Sequence, residues 1–514
     1  MIGPYRGRPL LAAAATVVAL GALTPLVYLA VRSVDGGFDK AARLLFRSRT
    51  VDLAVRTAAL TSVVAVGCLV LGILAAWAAT RTDLPGRRFF AVALTAPLAI
   101  PSYVSGYVWI AEFPSLAGFS GAALVLTMSC FPLVMIPVSA AFAASDPGRA
   151  EVARTLGRSA LRTGVGIEAR YVVPSAAAGA LLVSLYTISD FGAVALMRYD
   201  AFTLGIYSAY SGGLDRTAAS ILGLVLVLMA LVLTLAERRV RKGATARVGS
   251  GSPRTPEPVA LGRWRAPTLI GMTMLLCASV AVPLLGLTRW LVRSFRFTID
   301  WTDVVETTLA TVKYSGLAAI VVVVLALPVA LYAARSTSPL ARVTELSTYI
   351  AHGLPGITVG LAVVFLGIRF LPSIYQSATL LVLAYAVLFL PLAIGSTRAA
   401  VHASPVVLED ISRTLGSSRI RTDLRVTLPI ALPGIAAGGA LVFLTVAKEL
   451  PATLLLRPRG VDTLATELWS TTQVFKYGEA APYAFALILV SAVPTFVLDR
   501  AIRRRRVPTS TEYV

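Results

Sequence analysis

The sequence predicts an all-α polytopic membrane protein, and three observations carry that reading. Of its 514 residues, 57% are hydrophobic and only 14% charged, against about 25% charged in an average soluble domain. Mean hydropathy is +0.78. The apolar residues also gather into runs of about 20, the length of helix that crosses about 30 Å of hydrocarbon. This composition excludes disorder and a disulfide scaffold and argues against an ordinary soluble enzyme.

In chain order, the first set of runs lies near 9–31, 54–80, 89–111, 119–144, 172–196 and 217–236. The first follows Arg6 and Arg8, and its apolar core of about 20 residues exceeds the roughly 7–15 of a signal-peptide core. It reads as an uncleaved transmembrane helix. A second set lies near 266–288, 306–334, 344–368, 378–402, 431–456 and 479–499. The third, fourth and eighth runs carry Pro or Gly interruptions. Pro101 and Pro355, with Gly106 and Gly360, are expected to kink or break the third and ninth. Between the sets, Glu237–Arg265 contains RRVRK, GSGSP and RTPEP, the composition of a polar linker. The plan is a first domain over 1–236, a linker over 237–265 and a second domain over 266–514.

The two sets repeat each other. At an offset of 254, Val51, Thr57, Arg81, Pro85, Pro101 and Gly106 fall on Val305, Thr311, Arg335, Pro339, Pro355 and Gly360. At an offset of 259, RTLG at Arg154–Gly157 falls on RTLG at Arg413–Gly416, and Pro174, Gly179 and Arg198 fall on Pro433, Gly438 and Arg457. Six spans per half insert both copies with one orientation, a parallel repeat about an axis along the membrane normal.

Charge assigns the sides. With 47 Lys+Arg against 26 Asp+Glu, the net charge is +21, a balance that elsewhere suggests a nucleic-acid partner. Here, with the N-terminus inside, the inner segments hold 30 of the 47 basic residues. The charge therefore reports topology, with both termini cytoplasmic and the bilayer, not nucleic acid, as partner. Arg503–Arg506 anchors the last inner segment. The outer segments 32–56 and 289–313 carry ten basic residues interleaved with acids, which points to interfacial amphipathic pieces.

Catalysis is not indicated. Cys68, Cys130 and Cys277 lie in apolar runs without metal spacing and read as small buried hydrophobes. His352 and His402 form no HExxH, and no GxxxxGK[ST] loop occurs. No cofactor is expected, and any ATP hydrolysis belongs to a separate subunit. The aromatics Tyr103, Tyr107 and Trp109 suggest an interfacial cluster.

Two inner loops stand out. The first reads EVARTLGRSALRTGVGIEAR from Glu151 and the second DISRTLGSSRIRTDLRVTLP from Asp410. Each has an acid, a Gly six positions later and an apolar residue ten positions beyond. The residues before the Gly suit a short surface helix, and the Gly suits the turn that ends it. These loops resemble the cytoplasmic signature E-A-A-x3-G-x9-I-x-L-P of binding-protein-dependent ABC importer permeases. The first copy matches at Glu151, Ala153, Gly157 and Ile167, with Ala169-Arg170 in place of Leu-Pro. The second has Asp410, Ile411 and Ser412 in place of E-A-A and keeps Gly416, Val426, Leu428 and Pro429. The resemblance implies a type I importer permease fold in the cytoplasmic membrane. It also implies two ABC ATPase subunits docked at these loops and an extracytoplasmic substrate-binding protein.

The stretch KELPATLLLRP, with SDFGAVALMRYD at the matching place in the first half and LPG at Leu354–Gly356, resembles permeases of ferric-iron importers. Permeases for thiamine, polyamines, phosphonates, sulfate and molybdate share the loop. A twelve-span secondary transporter, with coupling-ion sites and no ATPase, is the alternative of another class. Asp190 and Glu449 occupy equivalent positions in the fifth and eleventh spans, Lys448 adjoins Glu449, and Tyr186 precedes Asp190 by one turn. Ionisable groups inside a membrane usually face a bundle interior or aqueous cavity, and oxygen ligands suit a hard cation. These four are candidates for the translocation path. The alternative is that both acids sit at helix ends and bond to nearby backbone or to Lys448.

Overall fold

The apolar runs lie in helices among the described residues, several of them split in two, and proline, glycine and carboxylate chemistry sets where they stop. The computed structural model describes residues 9–34, 37–143, 169–212, 216–245, 258–296, 299–352 and 354–505. Among these, nine helices are long and apolar enough to cross a membrane. The apolar pair Arg87–Ala99 and Ser102–Glu112, bent by 90°, is a broken span or a re-entrant loop. Gly356–Phe370 and Tyr477–Ala492 are shorter apolar helices. No strand forms among the described residues; the one β-bridge pairs Thr82 with Val259.

The chain divides into two compact units, one spanning Phe38–Thr298 with Thr471–Ala481, the other Met1–Gly37, Ile299–Ser470 and Pro482–Val514. The contiguous halves read from the sequence are the repeats. The compact units regroup them, because the first helix of each repeat is counted with the other repeat's helices.

The first of these units contains α2 (Phe38–Leu45), α3 (Ser48–Arg81), α4 (Arg87–Ala93), α5 (Ser102–Glu112), α6 (Phe119–Cys130) and α7 (Pro132–Ala143). Then come α8 (Ala169–Ser189), α9 (Gly192–Leu196), α10 (Phe202–Ser211), α11 (Arg216–Thr245), α12 (Arg265–Leu276) and α13 (Val282–Ser294). Its core is Val64, Cys68, Val125, Leu126, Phe131 and Val134. Close approach depends on missing side chains: a Cβ on Gly72 would come within 2.7 Å of Val134 Cβ, and one on Gly179 within 2.8 Å of Val134 Cα. Without water to drive association, membrane helices pack through such small residues. The RRVRK stretch extends α11 to Thr245, so the linker begins later than its composition suggested. Its far end is stitched down: Val259 N–H donates to Arg81 O at 2.7 Å and Leu261 N–H to Asp83 Oδ1 at 2.9 Å.

Two expectations fail in this unit. Tyr107 is fully buried, its hydroxyl donating to the Tyr477 carbonyl at 2.6 Å, because α5 lies inside the unit and not at its rim. Cys277 is exposed, in a π-helical turn between α12 and α13, while Cys68 and Cys130 are buried as expected.

The other unit contains α1 (Pro9–Val34), α14 (Trp301–Arg335), α15 (Pro339–His352), α16 (Gly356–Phe370), α17 (Ala378–Ala403) and α18 (Val406–Thr414). It continues with α19 (Leu428–Ala447), α20 (Pro451–Leu456) and most of α21 (Leu464–Gln473) and α22 (Tyr477–Arg505). Asp300 caps α14, accepting from Thr302 N–H at 3.0 Å and Asp303 N–H at 3.2 Å. Residues Gly434 and Gly438, a GxxxG pair, press α19 onto α17: an added Cβ would sit 2.4 Å from Ala400 Cβ and 2.0 Å from Ser396 Oγ respectively. Outward faces carry exposed Leu309, Ile320 and Val324 on α14, as lipid contact requires.

Gly434→Leu should force α17 and α19 apart at a cost of about 1–3 kcal/mol or more. Gly316→Leu, where nothing lies within 4 Å, should be silent. Thermal unfolding of the purified protein in detergent checks this; equal melting temperatures for the two variants would contradict the packing.

Candidate functional site: the inner loop and the broken helices

The second inner loop is built from α18 outward. Leu415 N–H donates to Ile411 O, Gly416 N–H to Arg413 O at 3.0 Å and Ser417 N–H to Ser412 O at 3.1 Å. The last two bonds make a Schellman turn, and Gly416 sits in it at φ +87°, where a Cβ is disfavoured. Ser418 then caps a one-turn helix, Arg419–Thr422, that runs through a π-helical stretch, Asp423–Thr427, into α19. The eleventh span thus begins at Arg419, twelve residues before its apolar run, because helix-forming polar residues continue it. Val426 lies within the π stretch, and Leu428 and Pro429 follow it as the first residues of α19.

The acid that anchors this loop is not the signature one. Asp410 is partly exposed and pairs with Arg413 on its own helix. Its neighbour Glu409 is buried: Oε1 accepts from Arg335 Nε at 3.0 Å, Arg335 Nη2 at 2.7 Å and Thr427 Oγ1 at 2.9 Å. Arg335 Nη2 also reaches Ser404 O at 3.1 Å. Sequence reasoning missed Glu409; the signal available was Arg335, a charge repeated at the C-terminal end of both halves' second helix. Facing outward on the same loop are Val407, Leu408, Ile411, Leu415, Ile420 and Leu424, all exposed, Leu415 at 81%. Glu151, Ala153, Gly157 and Ile167 of the first loop lie outside the described residues.

The broken helices form the second feature, and each unit carries its own version. In one, Pro101 at φ −57°, ψ 139° starts α5 after the break; in the other, Pro355 at φ −59°, ψ 139° starts α16. The fifth span ends at Ser189 and the eleventh at Ala447, earlier than their apolar runs, and a short helix follows each. Asp190 stands at the head of the first short helix. Its Oδ1 accepts from Ala193 N–H at 2.9 Å, and its Oδ2 accepts from Ser102 Oγ at 2.6 Å. Glu449 stands at the head of the second, Oε1 accepting from Ala452 N–H at 3.1 Å. Gly356 is the counterpart of Ser102, and a Cβ there would come within 2.6 Å of Glu449 Oε1.

Both carboxylates therefore cap backbone at helix ends. Asp190 is buried, with both oxygens engaged; Glu449 is half-buried, and among the described residues only its Oε1 accepts a hydrogen bond. Lys448 ends α19, its backbone N–H donating to Thr445 O. Tyr186, 41% exposed, lies on α8 one turn before Asp190. No group of three or more His, Cys, Asp or Glu among the described residues is placed to hold a metal ion.

Residues 326–504 match the family described as binding-protein-dependent transport system inner membrane component. The chain is 31% identical over 489 residues, 94% of its length and 96% of the relative's, to the Fe(3+)-transport system permease protein FbpB 2 of Haemophilus influenzae. Shorter stretches are similar to the phosphate transport system permease protein PstA 1 of Mycobacterium tuberculosis, 33% identical over 28% of this chain and 48% of that protein. The molybdate/tungstate transport system permease protein WtpB of Thermococcus kodakarensis is 28% identical over 28% of this chain and 60% of its own. With likeness running nearly the whole length of a permease of its own size, and helices fit to cross a bilayer, the chain belongs to the binding-protein-dependent ABC importer permease family and is a multi-span, all-α membrane transport protein.

Proposed function

We propose that this chain forms the translocation path of an ABC importer for ferric iron, delivered by an extracytoplasmic binding protein and driven by two ABC ATPase subunits at its inner loops. It lies in the cytoplasmic membrane with both termini inside, and hydrolyses no ATP itself. The observation that carries the reading is the second inner loop. A short helix is pinned by a buried ion pair while its apolar residues face outward. Iron as cargo rests on the full-length likeness to an Fe(3+)-transport permease; the phosphate and molybdate/tungstate permeases are similar over 28% of the chain each.

On this reading the ATPase closes on the apolar face of α18, and α18 moves as a lever just outside the bilayer. Along the path, Glu449 is the carboxylate with an oxygen to offer the cargo, while Asp190 is spent on holding its break. Lys448 beside Glu449 fits iron that travels with a companion anion better than a bare cation, since an ammonium group repels Fe³⁺.

Leu415→Asp or Gly416→Val should leave membrane insertion intact and lower co-purifying ATPase by about tenfold, the first by charging the apolar face and the second by straining the turn. Iron uptake by proteoliposomes should stop on ATP depletion. Uptake that survives depletion and follows a proton gradient instead identifies a secondary transporter.

Glu449→Gln should reduce iron uptake about tenfold or more with ATPase assembly unchanged, whereas Asp190→Asn should reduce it less than threefold. Unaltered uptake in the Glu449 variant would remove that residue from the path.

A further inference from the structure

Arg335 and Glu409 form a buried ion pair, with side chains 5% and 2% exposed. Removing two charges from water is costly, and such a pair persists only with good geometry and further hydrogen bonds. Here one carboxylate oxygen receives three bonds, from the last residue of α14 and from the π-helical stretch that leads α19. A second contact, Ser412 Oγ to Thr422 Oγ1 at 3.1 Å, joins α18 to the same lead-in. The π stretch accommodates an extra residue in the turn and so marks a special register at that point. Three elements meet at Glu409: the inner loop, the end of the eighth span and the start of the eleventh.

The repeat register sharpens this. The offset of 254 sets Arg81 on Arg335, and the offset of 259 sets Ala150 on Glu409 and Glu168 on Thr427. Where the second half reads Arg, Glu, Thr at the three positions, the first reads Arg, Ala, Glu. In the first half the acid stands at the position matching Thr427 and not at the one matching Glu409. Positions 150 and 168 lie outside the described residues, so the comparison is one of sequence alone.

We propose that Arg335, Glu409 and Thr427 are the joint through which the second inner loop pulls on the membrane helices. The two loops are then unequal, the second transmitting most of the ATPase stroke. All three are positioning residues, since none touches ATP or cargo. The inference rests on the reading that the loop docks an ATPase.

The decisive variant is Glu409→Ala with Thr427→Glu, which gives the second half the first half's arrangement. It leaves Arg335 one acid, but frees α18 from the pair. In proteoliposomes with the binding protein, the ratio of iron imported to ATP hydrolysed should fall at least fivefold. Thermal stability and ATPase co-purification should stay near wild type, above those of Glu409→Ala alone. A ratio restored to within twofold of wild type overturns the proposal, because the pair would then serve charge balance alone. If the double variant does not accumulate, Glu409→Gln decides. Its amide oxygen still accepts from Thr427 while the ion pair is gone; a threefold or greater fall in the ratio supports the joint, and an unchanged ratio at normal assembly overturns it. A wild-type permease that retains no ATPase refutes the docking reading and not the joint.

Discussion

Inside hydrocarbon a backbone N–H without a partner costs several kcal/mol, so every break in a membrane helix has to be sealed from within the protein. This fold contains such breaks in each unit, and their seals determine which residues line up around them. Where α8 and α19 end, a carboxylate takes the N–H groups of the short helix that follows. The two repeats solve the geometry differently. Aspartate is one methylene shorter, and Ser102 supplies a hydroxyl that meets its second oxygen at 2.6 Å. Glutamate reaches further, and the corresponding residue is Gly356, where a Cβ would lie 2.6 Å from Oε1. Asp with Ser and Glu with Gly are thus matched pairs; exchanging one member alone either loses a bond or creates a clash.

The same seal divides the labour between two residues that look alike in sequence. A carboxylate with both oxygens bonded has little left for a passing ion, whereas one held by a single oxygen keeps the other available. Glu449 stands in the second position and Asp190 in the first, so pseudo-symmetric placement does not give the two carboxylates equal surroundings. Thr57 and Thr311, by contrast, remain equivalent. Each accepts a backbone N–H across its own unit, from Phe202 at 3.0 Å and Leu464 at 2.9 Å.

Much of this was legible in the sequence, because a membrane imposes long apolar runs and duplication imposes a register. The runs located the helices, Pro101 and Pro355 located the breaks, and the repeated RTLG located the loop. What was not legible depends on contact. The sequence order gives no sign that α1 is grouped with second-half helices, since a helix apolar all round has no polar stripe to aim it. Tyr107 looked interfacial because tyrosine favours membrane boundaries, yet its hydroxyl found a carbonyl partner inside the unit. Glu409 was overlooked because the signature counts back six residues from Gly416 to Asp410. One step along a helix turns the side chain by about 100°, enough to send Asp410 outward and Glu409 into the protein.

That turn also explains the character of α18. On a helix lying against a soluble core, apolar residues face in and polar residues out. Here the order is reversed: Glu409 and Ser412 make their bonds inward, while Val407, Leu408, Ile411 and Leu415 face away from the protein. Among the described residues nothing in the packing rewards that inversion, because the outward residues cover no core of this unit. Exposed apolar surface of this kind marks an interaction site, and a buried ion pair beneath it is what a helix needs if its orientation is to survive the pull of a partner. An apolar inner face would hold α18 by area alone and let it slide; three directed bonds to one oxygen fix both its rotation and its register. If the loop docks an ATPase as proposed, the inversion and the ion pair have one explanation, a surface gripped on one side and held on the other.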